Sequence, residues 1–195
     1  MSPHRHREAR TRSYTRPGAR SCATAAAAMV LTALTACSAV GGSDPLTELR
    51  DRPSHEQALA GYTTMQREIQ DAVTTAVPTV IWQLGRASES SAGCADPFDN
   101  LGGTTKGLDL YYAEGGIPDD TWPRAVSAAV AVAQRYGLTE ITTTVDRPAD
   151  HQVRLTNPTD GAHTDLGTGA NAIIRTVTGC NLPADALSTT PPATR

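Results

Sequence analysis

Lysine, aromatic side chains and long apolar runs are what this chain of 195 residues has least of. No stretch reaches the run of about 20 apolar residues that a membrane-spanning helix needs, which excludes a polytopic membrane protein. Lys106 is the single lysine among 17 bases, and the formal net charge is −3. A nucleic-acid binder needs clustered Lys and Arg, so no nucleic-acid partner is expected. Phe98 is the only phenylalanine and aromatics make up 4% of the chain. A large apolar cavity, as a lipid or glycolipid carrier would require, is hard to build from so few. CxxC, GxSxG, HExxH, Walker A and GxGxxG patterns are missing, so no cofactor and no standard nucleophile or phosphate cradle is implied. The apolar fraction of 39% is still enough for a folded core.

What is present begins with an address. Arg5, Arg7, Arg10, Arg12, Arg16 and Arg20 face a single acid, Glu8, and an apolar stretch runs from Cys22 to Leu34. That stretch is too short to span a bilayer but fits the apolar region of a secretory signal. Leu34-Thr35-Ala36-Cys37 follows and resembles a bacterial lipobox. The resemblance implies thioether lipidation of Cys37 and cleavage just before it, with an ordinary signal peptide as the rival reading. A doubly or triply acylated cysteine supplies the two signals that stable anchoring takes. The membrane is then a partner through Cys37, and the protein is expected on the extracytoplasmic face of the cell membrane. Cleavage removes six of the 17 bases and one of the 20 acids, leaving 11 against 19, a net of −8. Such a body is repelled by anionic headgroups, so residues 37–53 are expected to act as a flexible tether. A coil of about 16 residues spans roughly 20–25 Å.

Cys94 and Cys180 remain once Cys22 has left and Cys37 is lipidated. An even pair in an oxidising compartment points to one disulfide; the rival is a catalytic or metal-binding thiol. Ser54 and Gln57 have the form of a capping box. Tyr62, Met65, Ile69, Ala72, Val73 and Ala76 then make a helical stripe that Pro78 ends. Residues 79–84 read as a strand with Trp82 inward, and 85–106 as a long loop carrying Cys94. Leu108, Leu110 and Tyr112 alternate as a second strand, which puts Tyr111 on the outer sheet face.

Asp119, Asp120 and Thr121 offer caps for a second helix, with Trp122, Val126, Ala129, Val130 and Ala133 buried and Gly137 as its stop. Three or four strands follow in a meander, with Cys180 at its end and residues 188–195 read as a disordered tail. The expected architecture is a single α+β domain over 54–187, behind the signal at 1–36. It has an antiparallel sheet of about five to six strands with two helices packed on one face.

Trp82, Cys94, Asp119-Asp120-Thr121-Trp122, Ala133-Gln134-Arg135-Tyr136-Gly137 and Thr178-Gly179-Cys180-Asn181-Leu182-Pro183 fall together behind the lipobox. In this order they resemble the LppA family of actinobacterial lipoproteins. The resemblance implies the address, the disulfide and the fold class, and carries over no catalytic residue. Candidate chemistry is thin. His55, His151 and His163 are scattered, although His151 shares strand parity with Val153 and Leu155, and His163 lies two residues before Asp165. Asp119 and Asp120 are paired carboxylates that more often cap a helix. Asp96, Asp99 and Asn100 lack the ligand register of a calcium loop, so no metal is expected.

Tyr111 is the candidate for a ligand surface. The expectation is a cell-envelope lipoprotein presenting a small disulfide-bonded domain as a binding or interaction module for an envelope protein or small ligand, and not an enzyme. The alternatives are an extracytoplasmic hydrolase-type enzyme using His and Asp residues, and an envelope lipid carrier.

Overall fold

The computed structural model describes residues 44–88 and 91–188. Cys37, the leader and residues 189–195 lie outside the described residues. Chain order is α1 (Pro45–Asp51), α2 (His55–Ala76), β1 (Gln83–Arg86), β2 (Ser91–Gly93), β3 (Thr104–Lys106), β4 (Leu110–Glu114), α3 (Trp122–Ala133), β5 (Glu140–Arg147), β6 (Asp150–Thr156), β7 (His163–Thr168), β8 (Asn171–Val177) and α4 (Ala184–Ser188). Six strands form one antiparallel sheet in the order β1-β4-β8-β7-β6-β5, with β2 and β3 paired separately. The expected α+β class, sheet size and helix pair are all present. No described helix is long and apolar enough to cross a membrane.

α2 starts where the capping box places it. The Ser54 hydroxyl accepts from the Gln57 amide at 3.3 Å, and the Gln57 side chain accepts from the Ser54 amide at 3.0 Å. Tyr62, Met65, Ile69 and Val73 form its buried stripe. α3 opens with Pro123 in its first turn and closes through one 3-10 turn onto Gly137, whose φ of 85° suits a residue without Cβ. Its buried face is Trp122, Ala125, Ala129, Val132 and Ala133, while Val126 and Val130 are only partly covered. The face is therefore rotated slightly from the one expected. α2 and α3 pack on each other and on the sheet face that carries Val153, Leu155, Leu166, Ala172 and Ile174.

A second, smaller cluster corrects the tether. Residues 45–51 are helical, and Leu49 is fully buried against Cys180 and Leu182, with Phe98 and Leu101 alongside. Asp44 caps the helix by accepting from the Thr47 amide at 3.1 Å. Arg52 is buried as well: it donates to the Cys180 carbonyl at 3.0 Å and to Glu48 at 2.5 Å, and its guanidinium sits 4.4 Å from the Phe98 ring centre. A short helix is marginal alone; Leu49 and Arg52 give it a tertiary partner, and Asp44-Pro45 starts it instead of breaking the chain. At the other end Leu187 packs on the same cluster and Ser188 closes α4, so folded structure reaches the first residue assigned to the tail.

Cys94 and Cys180 are bonded, with Cα atoms 5.6 Å apart. The long 85–106 loop is partly regular, since it contains the β2–β3 pair that the disulfide flanks. The first strand lies at 83–86 instead of 79–84, with Trp82 just before it, half-buried and donating its indole N–H to the Gln70 carbonyl at 3.2 Å. β5 is present but open to solvent along nearly its whole length, Ile141 included.

Candidate functional site

Tyr111 is not on the outer face. It pairs with Ile174 of β8 while Ala113 pairs with Ala172, and both partners are fully buried beneath the helices. Tyr111 therefore turns inward, and Leu110 and Tyr112 turn outward. Parity carried from Leu108 fails because the register slips. Gly107 bridges Val177 and Tyr111 pairs Ile174, so four steps on one strand match three on the other. One extra residue swaps every later side chain to the opposite face.

The inward turn places Tyr111 in the wall of a cleft of about 200 Å³ between α2 and the segment before β4. Gln66 and Arg67 of α2 line one side, and Lys106 and Asp109 the other. A second cleft of about 560 Å³ adjoins it and shares Ser88, Gly107 and Leu108 with it; Arg86 and Arg175 stand in its walls. The partition is built by hydrogen bonds: the Ser88 amide donates to the Asp109 carboxylate at 2.7 Å, and the Ser88 hydroxyl donates to the Gly107 carbonyl.

Charge is unevenly distributed around these clefts. Among the described residues, ion pairs engage Arg52, Arg135, Arg147 and Arg154. The described bases in no ion pair are Arg50, Arg67, Arg86, Lys106, Arg124 and Arg175, and four of these six line the two clefts. Gln66 adds a polar anomaly. It is 3% exposed, its amide nitrogen donates to the Asp109 carbonyl at 2.8 Å, and its amide oxygen meets no donor among the described residues. A carbonyl can only accept, so the amide orientation is fixed and the oxygen faces away from Asp109. The signal was in the sequence: Gln66 and Gln70 interrupt an otherwise apolar helical face, and buried polar residues are the informative ones. The four bases, spread over α2, β1, β3 and β8, had no local signature.

The histidines divide between the faces. His151 lies on the helix side, stacked on Trp122 at 5.6 Å between ring centres, with Asp119 3.2 Å from Nε2 and Asp146 2.9 Å from Nδ1. Asp119 also accepts from the Ala149 amide, so it clasps the β5–β6 hairpin and does not cap α3; Thr121, the N-cap residue, makes no side-chain cap bond either. Asp120 is exposed. His163 is on the opposite sheet face at the far end of β7, where burial, then the neighbouring Arg154, pushes its pKa down. Asp165 beside it is penalised by burial, yet its two hydrogen bonds from Arg154, at 2.7 and 2.8 Å, bring its pKa below the ordinary value. The sheet thus separates the two histidines. His55 contacts Thr104 at 3.2 Å. Asp96 and Asp99 do approach each other; their shared hydrogen bond pushes the Asp96 pKa up, and Asn100 donates to Asp99 at 2.7 Å.

A family model described as "Lipoprotein confined to pathogenic Mycobacterium", LppA, matches residues 44–184. The chain belongs to the LppA family. Its matched span opens at Asp44, the cap of α1, so the family unit includes the helix that the tether reading left out. Among solved structures, LppA from Mycobacterium tuberculosis is similar at a TM-score of 0.61 and 17% identity, over 75% of this chain and 91% of that one. A DUF4853 family protein from Actinomyces odontolyticus is similar at a TM-score of 0.45 and 14% identity, over 69% and 72% of the two chains. No curated protein matches the chain. LppA membership makes this a lipoprotein-family protein associated with the envelope; the likeness to the M. tuberculosis structure extends to the fold.

Proposed function

We propose that the protein is anchored to the extracytoplasmic face of the cell membrane by acylation of Cys37, and that its LppA-like domain is a binding module for a small anionic ligand held in the paired clefts. The observation that carries the ligand reading is the gathering of Arg67, Arg86, Lys106 and Arg175, none of them ion-paired among the described residues, around adjoining concavities. The four bases repel one another, with Asp109 the one acid in the lining of the two clefts, and a bound anion relieves that repulsion. Arginine's fork suits carboxylate or phosphate oxygens.

Two measurements test this. Radiolabelled palmitate should enter the wild-type protein and not a Cys37→Ala variant; equal labelling removes the anchor. Titration with inorganic pyrophosphate should give heat that Arg86→Ala/Arg175→Ala weakens at least tenfold, and an unchanged affinity in that variant refutes the anion site. His151 between two carboxylates favours a second reading, an acid–base enzyme. It is the weaker one because Asp119 is committed to the Ala149 amide and His163 lies across the sheet. A lipid carrier fits less well still, since both clefts have charged walls.

A further inference from the structure

We infer that the free edge of β5 is a self-association surface: it pairs antiparallel with β5 of a second copy of this chain, so that one sheet runs through both copies. The inference stands apart from the anion-binding reading above.

Among the described residues the main sheet ends in two unpaired edges, β1 and β5. An edge offers a row of free N–H and C=O groups, and proteins blunt such edges with short strands, glycine, proline or charge. β1 is blunted, being four residues long with Gly85 inside it. β5 is not. It has eight residues, and its middle run Ile141-Thr142-Thr143-Thr144-Val145 is uncharged and β-branched throughout. The run lies open to solvent, Ile141 at 48% exposure. The hairpin is also held in place: Asp119 accepts from the Ala149 amide, and His151 stacks on Trp122. A fixed edge loses little freedom when it pairs.

One irregularity decides which partner fits. Thr143 pairs with Val153 and Val145 with Gln152, so Thr144 is an extra residue in β5. Its hydroxyl donates to the Gln152 carbonyl at 3.3 Å. Before it, Ile141 and Thr143 lie on the helix side, opposite the buried Leu155 and Val153, and Glu140 and Thr142 lie on the other face. After it, Asp146 is on the helix side opposite His151, and Val145 and Arg147 are on the other face. The bulge therefore brings Glu140 and Arg147 to one face, whereas a regular strand separates residues of opposite parity.

With Thr144 set aside, the order of faces reads the same in both directions about Thr143. A twofold axis there sets Thr143 against the partner's Thr143, Thr142 against the partner's Val145 and Glu140 against the partner's Arg147. Opposite charges meet at both ends. Glu140 makes no ion pair among the described residues, and Arg147 has only the exposed one to Asp150. The partner's Ile141 comes beside Asp146, which already bonds His151 at 2.9 Å. There it borders a groove of about 360 Å³ between α3 and β5, walled by Trp122, Val126 and Val153. Val126 is on the part of α3 that its own fold leaves only partly covered. The competing explanation is that the bulge guards the edge by twisting it away from any partner.

The test uses the full chain in mild detergent. Unaltered protein should sediment as a dimer. Under a mild oxidant Thr143→Cys should give at least about tenfold more covalent dimer than Glu114→Cys at the exposed end of β4, because directly opposed residues lie within the Cα separation a disulfide accepts. Glu140→Arg should weaken the dimer about tenfold, since like charges then face each other, and adding Arg147→Glu should restore it to within about twofold. The unaltered chain's sedimentation stands even if a variant folds poorly. A chain that stays monomeric at submillimolar concentration, or equal cross-linking at the two cysteine positions, overturns the proposal and favours the guarded edge. Cross-linking through Thr143→Cys with an association that charge reversal leaves unchanged overturns the register.

Discussion

Removing the disulfide should cost about as much as the largest single core truncations. Cys94 and Cys180 close a loop of 86 residues. Chain-entropy arithmetic for that loop gives about 4.6 kcal/mol at 25 °C, against a total stability of about 5–15 kcal/mol for a domain. Native-state packing adds to it, because Cys180 is buried beside Leu49 and Leu182 and its carbonyl receives Arg52. The perturbation is Cys94→Ala/Cys180→Ala, chosen so that no hydroxyl is buried in place of sulfur. With a urea slope of about 2 kcal/mol/M, the unfolding midpoint should fall by about 2 M. Hydrogen exchange locates the effect: amides of α1 should exchange much faster at once, while those of β6–β8 should follow only the global loss. The single Cys94→Ala variant should lose about as much as the double. A double variant that loses less than about 1 kcal/mol, or α1 amides that stay as protected as before, refutes the claim that this bond holds the second cluster onto the sheet.

Other outcomes follow from particular contacts. Leu49→Ala should cost about 2–5 kcal/mol, as for any fully buried leucine, measured by thermal or urea unfolding; a change near zero would restore residues 45–51 to a tether. Gly116→Ala should destabilise by about 2–4 kcal/mol, because φ is 67° and a Cβ there would lie 2.4 Å from the Gly169 carbonyl oxygen. Its neighbour Gly115 has φ 80° and open space around it, so Gly115→Ala should cost only the left-handed penalty of about 1–2 kcal/mol. Equal losses at the two positions would refute the contact argument. His163 binds its proton less readily folded than unfolded, so the unfolded chain takes up more protons as pH falls. Stability from this group is then complete above the ordinary value of 6.5 and lost as pH drops through the lower folded value. His163→Gln should flatten the pH–stability curve in that window, and an unchanged curve would refute the assignment.

The sequence was most readable where local rules act alone. The capping box at Ser54, the period of α2, the Gly137 stop and the polar turn at Pro158–Gly161 each have a cause within a few residues, and each is in place. The meander of β5–β8 follows from short alternating runs between turns. What misled was non-local. α1 is too short to announce itself and exists because Leu49 and Arg52 find partners around Cys180, 128 residues away in the case of Arg52. Alternation puts Tyr111 outward, and parity does not survive one extra residue between Gly107 and the strand. Asp119 looked like a cap because caps sit there, but the β5–β6 hairpin supplies it with the Ala149 amide and His151 instead. The cleft bases come from four separate elements, and nothing but the sheet order brings Arg175 of β8 into one cleft with Arg86 of β1, across the intervening β4.

Folding of α1 changes what an anchor at Cys37 would do. A coil running to Pro53 would let the body drift, whereas a domain that starts at Asp44 leaves seven peptide steps from Cys37. However those residues are arranged, seven steps of about 3.6 Å cannot exceed about 25 Å. With Cys37 acylated as proposed, the start of α1 would lie within about three Debye lengths of the bilayer at physiological ionic strength. It presents Asp44, Glu48 and Asp51 against Arg50 and Arg52, a net of one negative charge, with Arg52 engaged by Glu48. At that full reach screening removes most of any repulsion between the helix and anionic headgroups, so chain length more than charge would set how far the domain stands from the bilayer.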